Sequence, residues 1–271
     1  MKIVVIGGSG QIGARLVRQL NQRGHQGIPA SPTSGIDTLT GAGLAAVLED
    51  AQVVIDVTNP TSFESGTVMH FFDTSTRNLL SAEAEAKVEH HVVLSVVGAD
   101  RMADVGYMRA KVAQEQLVQR GQIPYTIVRA TQFFEFIRTI TDLGTKGATV
   151  RLPPALMQPI AADDVVAFLV EVTERAPSNS TIDLAGPDRI RMDEIARRLL
   201  NVSQDPREVL SDHQALYFGG RLDDRSLVPA GRHCVGMTHF QDWLRIQPPP
   251  PPYAHLSRTK KEIRIRLRCE D

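Results

Sequence analysis

The sequence predicts an α/β protein built on a doubly wound parallel sheet, and three observations predict this fold class. The chain opens on a run of β-branched residues at 2–6 that is typical of a buried strand. A glycine-rich segment at 7–13 follows and passes directly into a helical pattern. Further apolar runs at 53–57, 91–97 and 125–129 are spaced widely enough to admit crossover helices. Strands that alternate with helices favour a parallel sheet covered on both faces.

The glycine-rich segment has the pattern of a phosphate-binding turn. Gly7, Gly10 and Gly13 permit a tight turn, close approach of a pyrophosphate and close packing of helix on strand. The N-terminus of the following helix then faces the anion. Read from Gly8, the segment also satisfies G-x-G-x-x-G. Because strand, loop and helix occur in the required order, we predict a Rossmann-type dinucleotide site rather than a simple glycine-rich turn.

A second group of polar residues lies near the middle of the chain. Ser95 stands near the end of the apolar run at 91–97, at the strand end expected to open toward a ligand crevice. Tyr107 and Lys111 are four residues apart, so on a helix they share one face. A helix can carry Tyr and Lys at this spacing by chance. The serine upstream at a strand end favours a catalytic interpretation.

These motifs together resemble the short-chain dehydrogenase/reductase superfamily, and within it the atypical NmrA-like NAD(P)H-binding branch. The resemblance extends over residues 1–245 and includes the segments 123–130 and 158–164. It implies that Tyr107 is the general acid or base and that Ser95 orients the substrate oxygen. It also implies that Lys111 binds the ribose and lowers the pKa of the tyrosine, which is about 10 in a free side chain.

The resemblance also assigns a cofactor site, to which Lys111 contributes. Its other members are Gly7, Ser9, Gly10, Gln11, Ile12, Gly13, Ser31, Thr33, Asp37, Thr38, Thr58 and Asn59. No Asp or Glu stands at 27–35, where an NAD enzyme places an acid for the ribose hydroxyls. Ser31 and Thr33 offer neutral donors to a 2′-phosphate, and Arg15 adds charge, so we expect NADP(H) to be preferred over NAD(H). Asp37 is equally well explained as a turn residue.

The alternation of strand-like and helix-like segments changes along the sequence and divides the chain into three parts. We assign residues 1–131 to the dinucleotide-binding Rossmann portion. Residues 132–247 are expected to form a small C-terminal substrate-covering lobe with interleaved return elements, in the same compact domain. Residues 248–271 form a proline-rich basic tail that we expect to be disordered, although a docking role for an acidic partner or nucleic acid is the alternative.

Several residues after the first half of the chain have structural interpretations. Residues 158–162 are predicted to return as a strand, and Asp163 or Asp164 to cap the helix that follows. His90 and His91 lack metal-ligand spacing and are interpreted as surface residues. Five apolar residues either wall a substrate pocket or pack in the core. They are Phe133, Phe134, Phe136, Met157 and Tyr217.

Composition agrees with one compact enzyme. The chain has 271 residues, of which 42% are hydrophobic and 23% charged, with a net charge of −1. A pI near 6.7 shows no overall excess of basic residues, so we expect no nucleic-acid partner. The two cysteines do not have metal-type spacing, no signal peptide precedes the first strand, and no apolar run is long enough to cross a membrane. We therefore expect a cytoplasmic protein without a membrane partner.

The expected function is that of an NAD(P)H-dependent oxidoreductase of the short-chain type. It would reduce a small carbonyl, quinone or similar acceptor by hydride transfer, with Tyr107 as the proton donor. A small-molecule substrate and a possible homodimer are the expected partners. One alternative is an NmrA-like regulator that senses the dinucleotide without turnover. Another is an NAD-dependent epimerase or dehydratase, because such enzymes use the same Tyr and Lys pair.

Overall fold

The computed structural model describes residues 1–60 and 64–246, so the tail expected at 248–271 lies outside the described residues. The strands are β1 Lys2–Ile6, β2 Gln26–Ala30, β3 Val53–Asp56, β4 His90–Val96, β5 Tyr125–Ala130, β6 Thr145–Lys146, β7 Thr149–Leu152, β8 Leu156–Met157, β9 Ser180–Ala185, β10 Ile190–Arg191, β11 Glu208–Ser211 and β12 Cys234–Val235. The helices are α1 Gln11–Gln22, α2 Leu44–Leu48, α3 Ser65–Ala86, α4 Gly106–Arg120, α5 Ile137–Leu143, α6 Ala162–Thr173, α7 Met192–Val202 and α8 Phe240–Ile246.

Seven strands form one parallel sheet in the order β12–β9–β5–β4–β3–β1–β2. The chain passes from β1 to β2 on one side and then to β3 on the other, so the strand order reverses at β1. Helices α1 and α6 pack on one face, and α2 and α3 pack on the other. This arrangement confirms the predicted Rossmann-type doubly wound sheet, whose ligand crevice lies at the carboxyl ends of the strands beside the reversal.

The apolar runs of the sequence form the central strands of this sheet. The strand predicted at 2–6 is confirmed, and those predicted at 53–57, 91–97 and 125–129 begin and end within one residue of the structure. These strands are buried on both faces, which explains why they are continuous apolar runs rather than alternating patterns. In α1 the helical spacing brings Ile12, Leu16 and Leu20 onto the sheet.

The strand predicted at 158–162 is wrong. This segment passes across the ends of β5 and β9 instead of running beside either strand. Ile160 forms an isolated bridge with Phe133, and the Gln158 carbonyl accepts hydrogen bonds from Thr131 and from the Gly186 amide. The segment is therefore extended but pairs with two different strand ends, so no strand ladder forms.

The predicted cap of the following helix is also wrong. Helix α6 begins at Ala162, and the Ala162 amide donates to the Glu135 carboxylate at 3.2 Å. Asp163 instead binds Arg15 at 2.8 Å. Asp164 accepts hydrogen bonds from the amide and hydroxyl of Thr238 at 2.8 and 2.9 Å. The carboxylate that accepts a hydrogen bond from the N-terminus of α6 thus belongs to Glu135, in the 3₁₀ turn after β5, and not to a residue of the first turn of α6.

A second apolar cluster lies beside the carboxyl ends of β4 and β5. It is enclosed by two small sheets, β11–β7–β6 and β10–β8, and by helices α5, α7 and α8. Phe134 packs edge-on against Phe240 at 5.1 Å between ring centroids, and Trp243 stacks on Phe240 at 6.0 Å. Tyr107 and Val96 of the main sheet region pack against the same cluster. These elements therefore cover one side of the crevice.

The two adjacent histidines are buried, which corrects their interpretation as surface residues. They lie in β4, and the His90 imidazole contacts the Thr126 hydroxyl at 2.9 Å. Burial, together with the neighbouring His91, lowers the pKa of His90 to about 4. The His91 Nδ1 lies 2.9 and 3.0 Å from the two oxygens of Glu83 on α3. Burial lowers the pKa of His91, but the Glu83 carboxylate outweighs this effect and holds that pKa above its usual value.

The buried pair of His91 and Glu83 predicts a test by paired substitution. Replacement of His91 by Leu or of Glu83 by Leu alone should cost about 3–5 kcal/mol of unfolding free energy, because each leaves an uncompensated buried partner. The double variant should be less destabilised than the more harmful single variant. Urea unfolding of the three variants measures this difference. Additive losses would show that the two side chains do not interact.

Candidate active site at the carboxyl end of the sheet

The glycine loop lies at the point where the strand order reverses. The Gly7 and Gly8 amides both donate to the Ala30 carbonyl at the end of β2, and Gly7 has a φ of +82°. A Cβ at Gly13 would lie 2.2 Å from the Gly7 carbonyl oxygen, so α1 approaches the loop as closely as backbone allows. The N-terminal amides of α1, which begins at Gln11 after Gly10, therefore face the crevice.

The remaining loop residues assigned to the cofactor divide into two groups. Ser9, Gly10 and Gln11 are exposed at the crevice, whereas Ile12 and Gly13 are buried beneath the helix. Ile12 belongs to the apolar core that α1 shares with α6. The Gly10 amide donates to the Gly7 carbonyl at 2.9 Å, so the Gln11 amide at the start of α1 is the group that faces a pyrophosphate, while the buried residues hold the loop in place.

The end of β2 carries hydroxyl groups and no carboxylate. Ser31 is buried and its hydroxyl lies 2.8 Å from that of Thr33, in a short 3₁₀ turn. Asp37 forms a turn through its carboxylate, which accepts the Leu39 amide at 2.8 Å. Thr38 is buried, and its carbonyl accepts a hydrogen bond from Asn78 of α3.

Arg15 is not placed beside Ser31 and Thr33 by any contact in the structure. Its guanidinium binds Asp163 at 2.8 Å and Glu135 at 3.3 Å. The expectation that Arg15 supplies charge to a 2′-phosphate is therefore not supported, because two carboxylates hold it toward α6.

The end of β3 brings polar groups to the same crevice. Asp56 is buried, and its carboxylate accepts hydrogen bonds from the Thr58 amide at 2.9 Å and from Gln114 of α4 at 2.8 Å. Within the described part of the chain, the buried Thr58 hydroxyl has no hydrogen-bond partner. Asn59 is exposed, and its side-chain oxygen accepts a hydrogen bond from Tyr107 at 2.9 Å.

Tyr107 lies in the first turn of α4 and extends toward the end of β3. Its ring packs edge-on against Phe72 at 5.9 Å, and its hydroxyl donates to Asn59. Burial raises the pKa of Tyr107, and the Asp56 carboxylate raises it further. The expected lowering of this pKa by Lys111 is not found, because burial and the Asp56 carboxylate both disfavour the phenolate. Tyr107 is therefore a neutral phenol at physiological pH.

Lys111 lies one turn further along α4 and is only 2% exposed. Its ammonium donates to the Leu94 carbonyl at 2.8 Å and to the Gln114 side chain, and it lies 4.5 Å from the centre of the Phe72 ring. Burial lowers the pKa of Lys111 to about 8, although the Asp56 and Glu115 carboxylates oppose this change. The ammonium thus joins α4 to β4 beneath the crevice.

Ser95 faces α4 rather than the second apolar cluster. Its hydroxyl donates to Glu115, which also binds Arg129 of the neighbouring strand at 2.6 Å. Side chains alternate along a strand, so the next residue, Val96, points to the opposite face and packs against the cluster that contains Tyr107. The structure therefore joins Tyr107 to Asn59 and places the Ser95 hydroxyl in a separate buried network.

Two polar residues that sequence reasoning did not assign to polar chemistry lie near Tyr107. Gln132 follows β5 and Tyr217 lies in the small lobe, where both are buried. Tyr217 was considered only as an apolar wall. No spacing in the sequence links either residue to Tyr107, so only the fold reveals them. Of the other four candidate wall residues, Phe134 and Met157 are fully buried in the core, and Phe133 and Phe136 are partly exposed.

The glycine loop fits a dinucleotide. A Cβ at Gly8 would lie 2.6 Å from Pro29, and one at Gly10 would lie 3.2 Å from the Gly7 carbonyl, so the backbone forms a cradle that side chains would fill. Backbone amides at the start of α1 suit an anionic pyrophosphate. In the part of the chain that the structure describes, no group of three or more acidic, histidine or cysteine residues is arranged to hold a metal ion. No described helix is long and apolar enough to cross a membrane.

Comparisons with known proteins agree with this geometry. Residues 33–176, just over half of the chain, match a family described as NAD(P)H-binding. The photosystem II assembly factor Ycf39 of Cyanophora paradoxa is 23% identical over 158 residues, which are 50% of this chain and 46% of that protein. The chain thus matches about half the length of this curated relative.

Solved structures share the fold across most of the chain. MoeE5 in complex with UDP-glucuronic acid and NAD is 16% identical, with a TM-score of 0.72 over 97% of this chain and 100% of that one. dTDP-4-dehydrorhamnose reductase from Bacillus anthracis in complex with NADP is 17% identical, with a TM-score of 0.64 over 90% of this chain and 91% of that one. The family match, together with the glycine cradle, shows that the chain belongs to the NAD(P)H-binding family.

Proposed function

We propose that the protein is an NAD(P)H-dependent oxidoreductase that reduces a small carbonyl, quinone or similar acceptor, with Tyr107 as the proton donor. The observation that carries this proposal is the neutral Tyr107 phenol, held by Asn59 at the carboxyl end of β3. The glycine cradle lies at the strand-order reversal beside the end of the same strand. Tyr107 and the glycine cradle thus border the same crevice.

The chain's own residues would bind the cofactor and provide the proton. Gln11, at the start of α1, presents its backbone amide to the pyrophosphate, whereas the Gly10 amide already donates to the Gly7 carbonyl at 2.9 Å. Thr58 has a buried hydroxyl without a partner among the described residues. A bound nicotinamide supplies the hydride. The Tyr107 hydroxyl, which donates to Asn59 Oδ1 in the structure, would turn from that oxygen and give its proton to the substrate oxygen. Lys111 holds α4 against β4. We infer that its ammonium also binds the cofactor ribose.

NADP(H) is proposed as the preferred cofactor. The support is the set of hydroxyls at the end of β2, where Ser31 and Thr33 stand and no carboxylate competes for a 2′-phosphate. The engagement of Arg15 by two carboxylates removes one contribution that the sequence suggested. Comparison of thermal stabilisation by saturating NADPH and NADH tests this preference, because a ligand that binds the folded state stabilises it in proportion to RT ln(1 + [L]/Kd).

A binding protein without turnover is the second candidate. It is favoured by the burial of Ser95 and Lys111 in networks of their own, and the curated relative that matches half the chain is described as an assembly factor. Stabilisation by NADPH without reduction of any acceptor would support this candidate. Retention of NAD through purification would instead favour an epimerase or dehydratase, which regenerates its cofactor in each turnover.

Substitution of Tyr107 by Phe tests the proton donor. The variant keeps the ring that packs on Phe72 and loses only the hydroxyl. We expect kcat with NADPH and a carbonyl or quinone acceptor to fall by about 10²–10⁴-fold, with the Kd for NADPH unchanged. Tyr125→Phe, in β5, is the matched control and should keep wild-type kcat. Wild-type turnover in the Tyr107 variant would contradict the mechanism.

Substitution of Gly13 by Ala tests the glycine cradle. The new Cβ would lie 2.2 Å from the Gly7 carbonyl and 2.7 Å from the Gly8 Cα, and both are backbone atoms that cannot rotate away. We expect a lower melting temperature and at least a tenfold higher Kd for NADPH. Gly66→Ala is the control, because it also lies in a helix and its Cβ would meet nothing within 4 Å. Equal effects of the two substitutions would contradict the assigned cradle.

A further inference from the structure

Gln132 and Tyr217 form a buried polar pair, and Tyr217 packs in the same apolar cluster as Tyr107. Gln132 is 7% exposed, and among the described residues neither its Oε1 nor its Nε2 has a hydrogen bond of normal geometry. Its one polar neighbour is the Tyr217 hydroxyl, and that interaction is weak. A buried amide without a well-formed hydrogen bond is unfavourable, and buried polar groups in proteins are seldom left in this state. The side chain is therefore a candidate for pairing with a ligand.

Hydrogen bonds to the segment that crosses the end of β5 hold the backbone around Gln132. The Gln132 carbonyl accepts the Ile160 amide at 2.9 Å, and the Ile160 carbonyl accepts the Phe134 amide at 2.9 Å. The Thr131 hydroxyl donates to the Gln158 carbonyl at 2.6 Å. These bonds tie the end of β5 to the crossing segment at 158–161 and hold the amide of Gln132 inside the protein.

The second member of the pair, Tyr217, is presented by a strained turn. The amide and carbonyl of Tyr217 bond the carbonyl and amide of Gly220 at 2.8 and 3.0 Å. Between them Phe218 and Gly219 have φ of +48° and +86°, as in a type I′ turn. Positive φ is unfavourable for an aromatic residue. The turn is held by packing, since a Cβ at Gly220 would lie 2.6 Å from Val105 at the start of α4.

The two tyrosines pack in one apolar cluster and influence each other electrostatically. Burial raises the pKa of Tyr217, the neighbouring Tyr107 raises it further, and the side chain of Gln132 opposes part of this change. Both tyrosines pack against the same apolar cluster, as does Val96 at the end of β4. Tyr107 thus binds Asn59 and shares an apolar cluster with Tyr217, and Tyr217 in turn interacts with Gln132.

The surroundings of this chain of polar groups are apolar and aromatic. Phe136 and Phe218 stack with their ring centres 6.0 Å apart, and Val96 occupies the position at the strand end from which a hydroxyl was expected. Neither Gln132 nor the two tyrosines carries a charge at neutral pH. Such an environment suits a neutral oxygen on an apolar ring and disfavours an ionised ligand.

We propose that Gln132 and Tyr217 form the oxygen-binding pair that orients a neutral aromatic carbonyl substrate toward Tyr107, the role that the sequence motif assigns to Ser95. The inference rests on the proposed reductase function. The Gln132 amide and the Tyr217 hydroxyl donate to the carbonyl oxygen, which holds that oxygen beside the Tyr107 hydroxyl. The pair adds no chemical step of its own and acts on binding and orientation.

Gln132→Leu and Tyr217→Phe test this assignment with 4-nitrobenzaldehyde as the probe. Binding of the probe to the NADP⁺-loaded protein is measured by calorimetry, and its reduction by NADPH is measured by steady-state kinetics. We expect each variant to raise the Kd and KM for the probe by about 5- to 100-fold, with the Kd for NADPH within twofold of wild type. The double variant should be little worse than either single variant, because both groups bind one oxygen.

A paired glutamine separates this role from a structural one. Gln158 is also buried, but its amide donates to the Gly186 carbonyl and accepts a hydrogen bond from Arg189. We expect Gln158→Leu to lower the melting temperature of the ligand-free protein, whereas Gln132→Leu should leave it unchanged or higher. A loss of stability in Gln132→Leu equal to that in Gln158→Leu would overturn the assignment.

The outcomes for the pair and for the reductase function are distinguishable. A wild-type protein that binds the probe but does not reduce it would contradict the reductase function, and the calorimetric comparison would still decide the role of Gln132. Equal probe affinity in wild type and Gln132→Leu, or no probe binding to wild type, would overturn the oxygen-binding pair. So would a Ser95→Ala variant that weakens probe binding while Gln132→Leu does not.

Discussion

The close contact between the glycine loop and the first helix is the constraint on which the site depends. With no room for a side chain at Gly13, the start of α1 lies directly against the Gly7 backbone. The unpaired amides at the helix N-terminus consequently meet the end of β1, where the strand order reverses. The anion-binding character of this edge thus arises from backbone packing. No charged side chain is required for it, which fits the engagement of Arg15 elsewhere.

Helix α4 is held to the sheet by buried polar contacts, and these determine where Tyr107 lies. Gln114 binds Asp56 of β3, Lys111 binds the Leu94 carbonyl of β4, and Glu115 binds Arg129 of β5. Polar groups away from water are tolerated only when paired, so any shift of α4 along the sheet would break several contacts together. The helix therefore has one register, and its first turn carries Tyr107 to the crevice.

The sequence predicted the positions of the site elements better than the directions of their side chains. Apolar runs located the central strands, and the i to i+4 spacing correctly placed Tyr107 and Lys111 on one helix. Ser95 was expected in the crevice, but in a strand buried on both faces nothing in the local pattern indicates which face is which. The burial of His90 and His91 was missed because only the fold brings their partners, Thr126 and Glu83, to them. Gln132 and Tyr217 were not assigned a polar role because only tertiary packing brings the two together.

The environment of Tyr107 restricts the chemistry that the proposed reaction can use. Burial and the Asp56 carboxylate both disfavour the phenolate, while the Lys111 ammonium is directed to Leu94. A neutral phenol of this kind is a weak acid and gives up its proton readily only to an oxygen more basic than itself. Hydride addition to a carbonyl carbon produces a strongly basic alkoxide, whereas a reduced quinone carries a more weakly basic phenolate oxygen. Among the acceptors considered, the site is therefore better matched to a carbonyl compound than to a quinone.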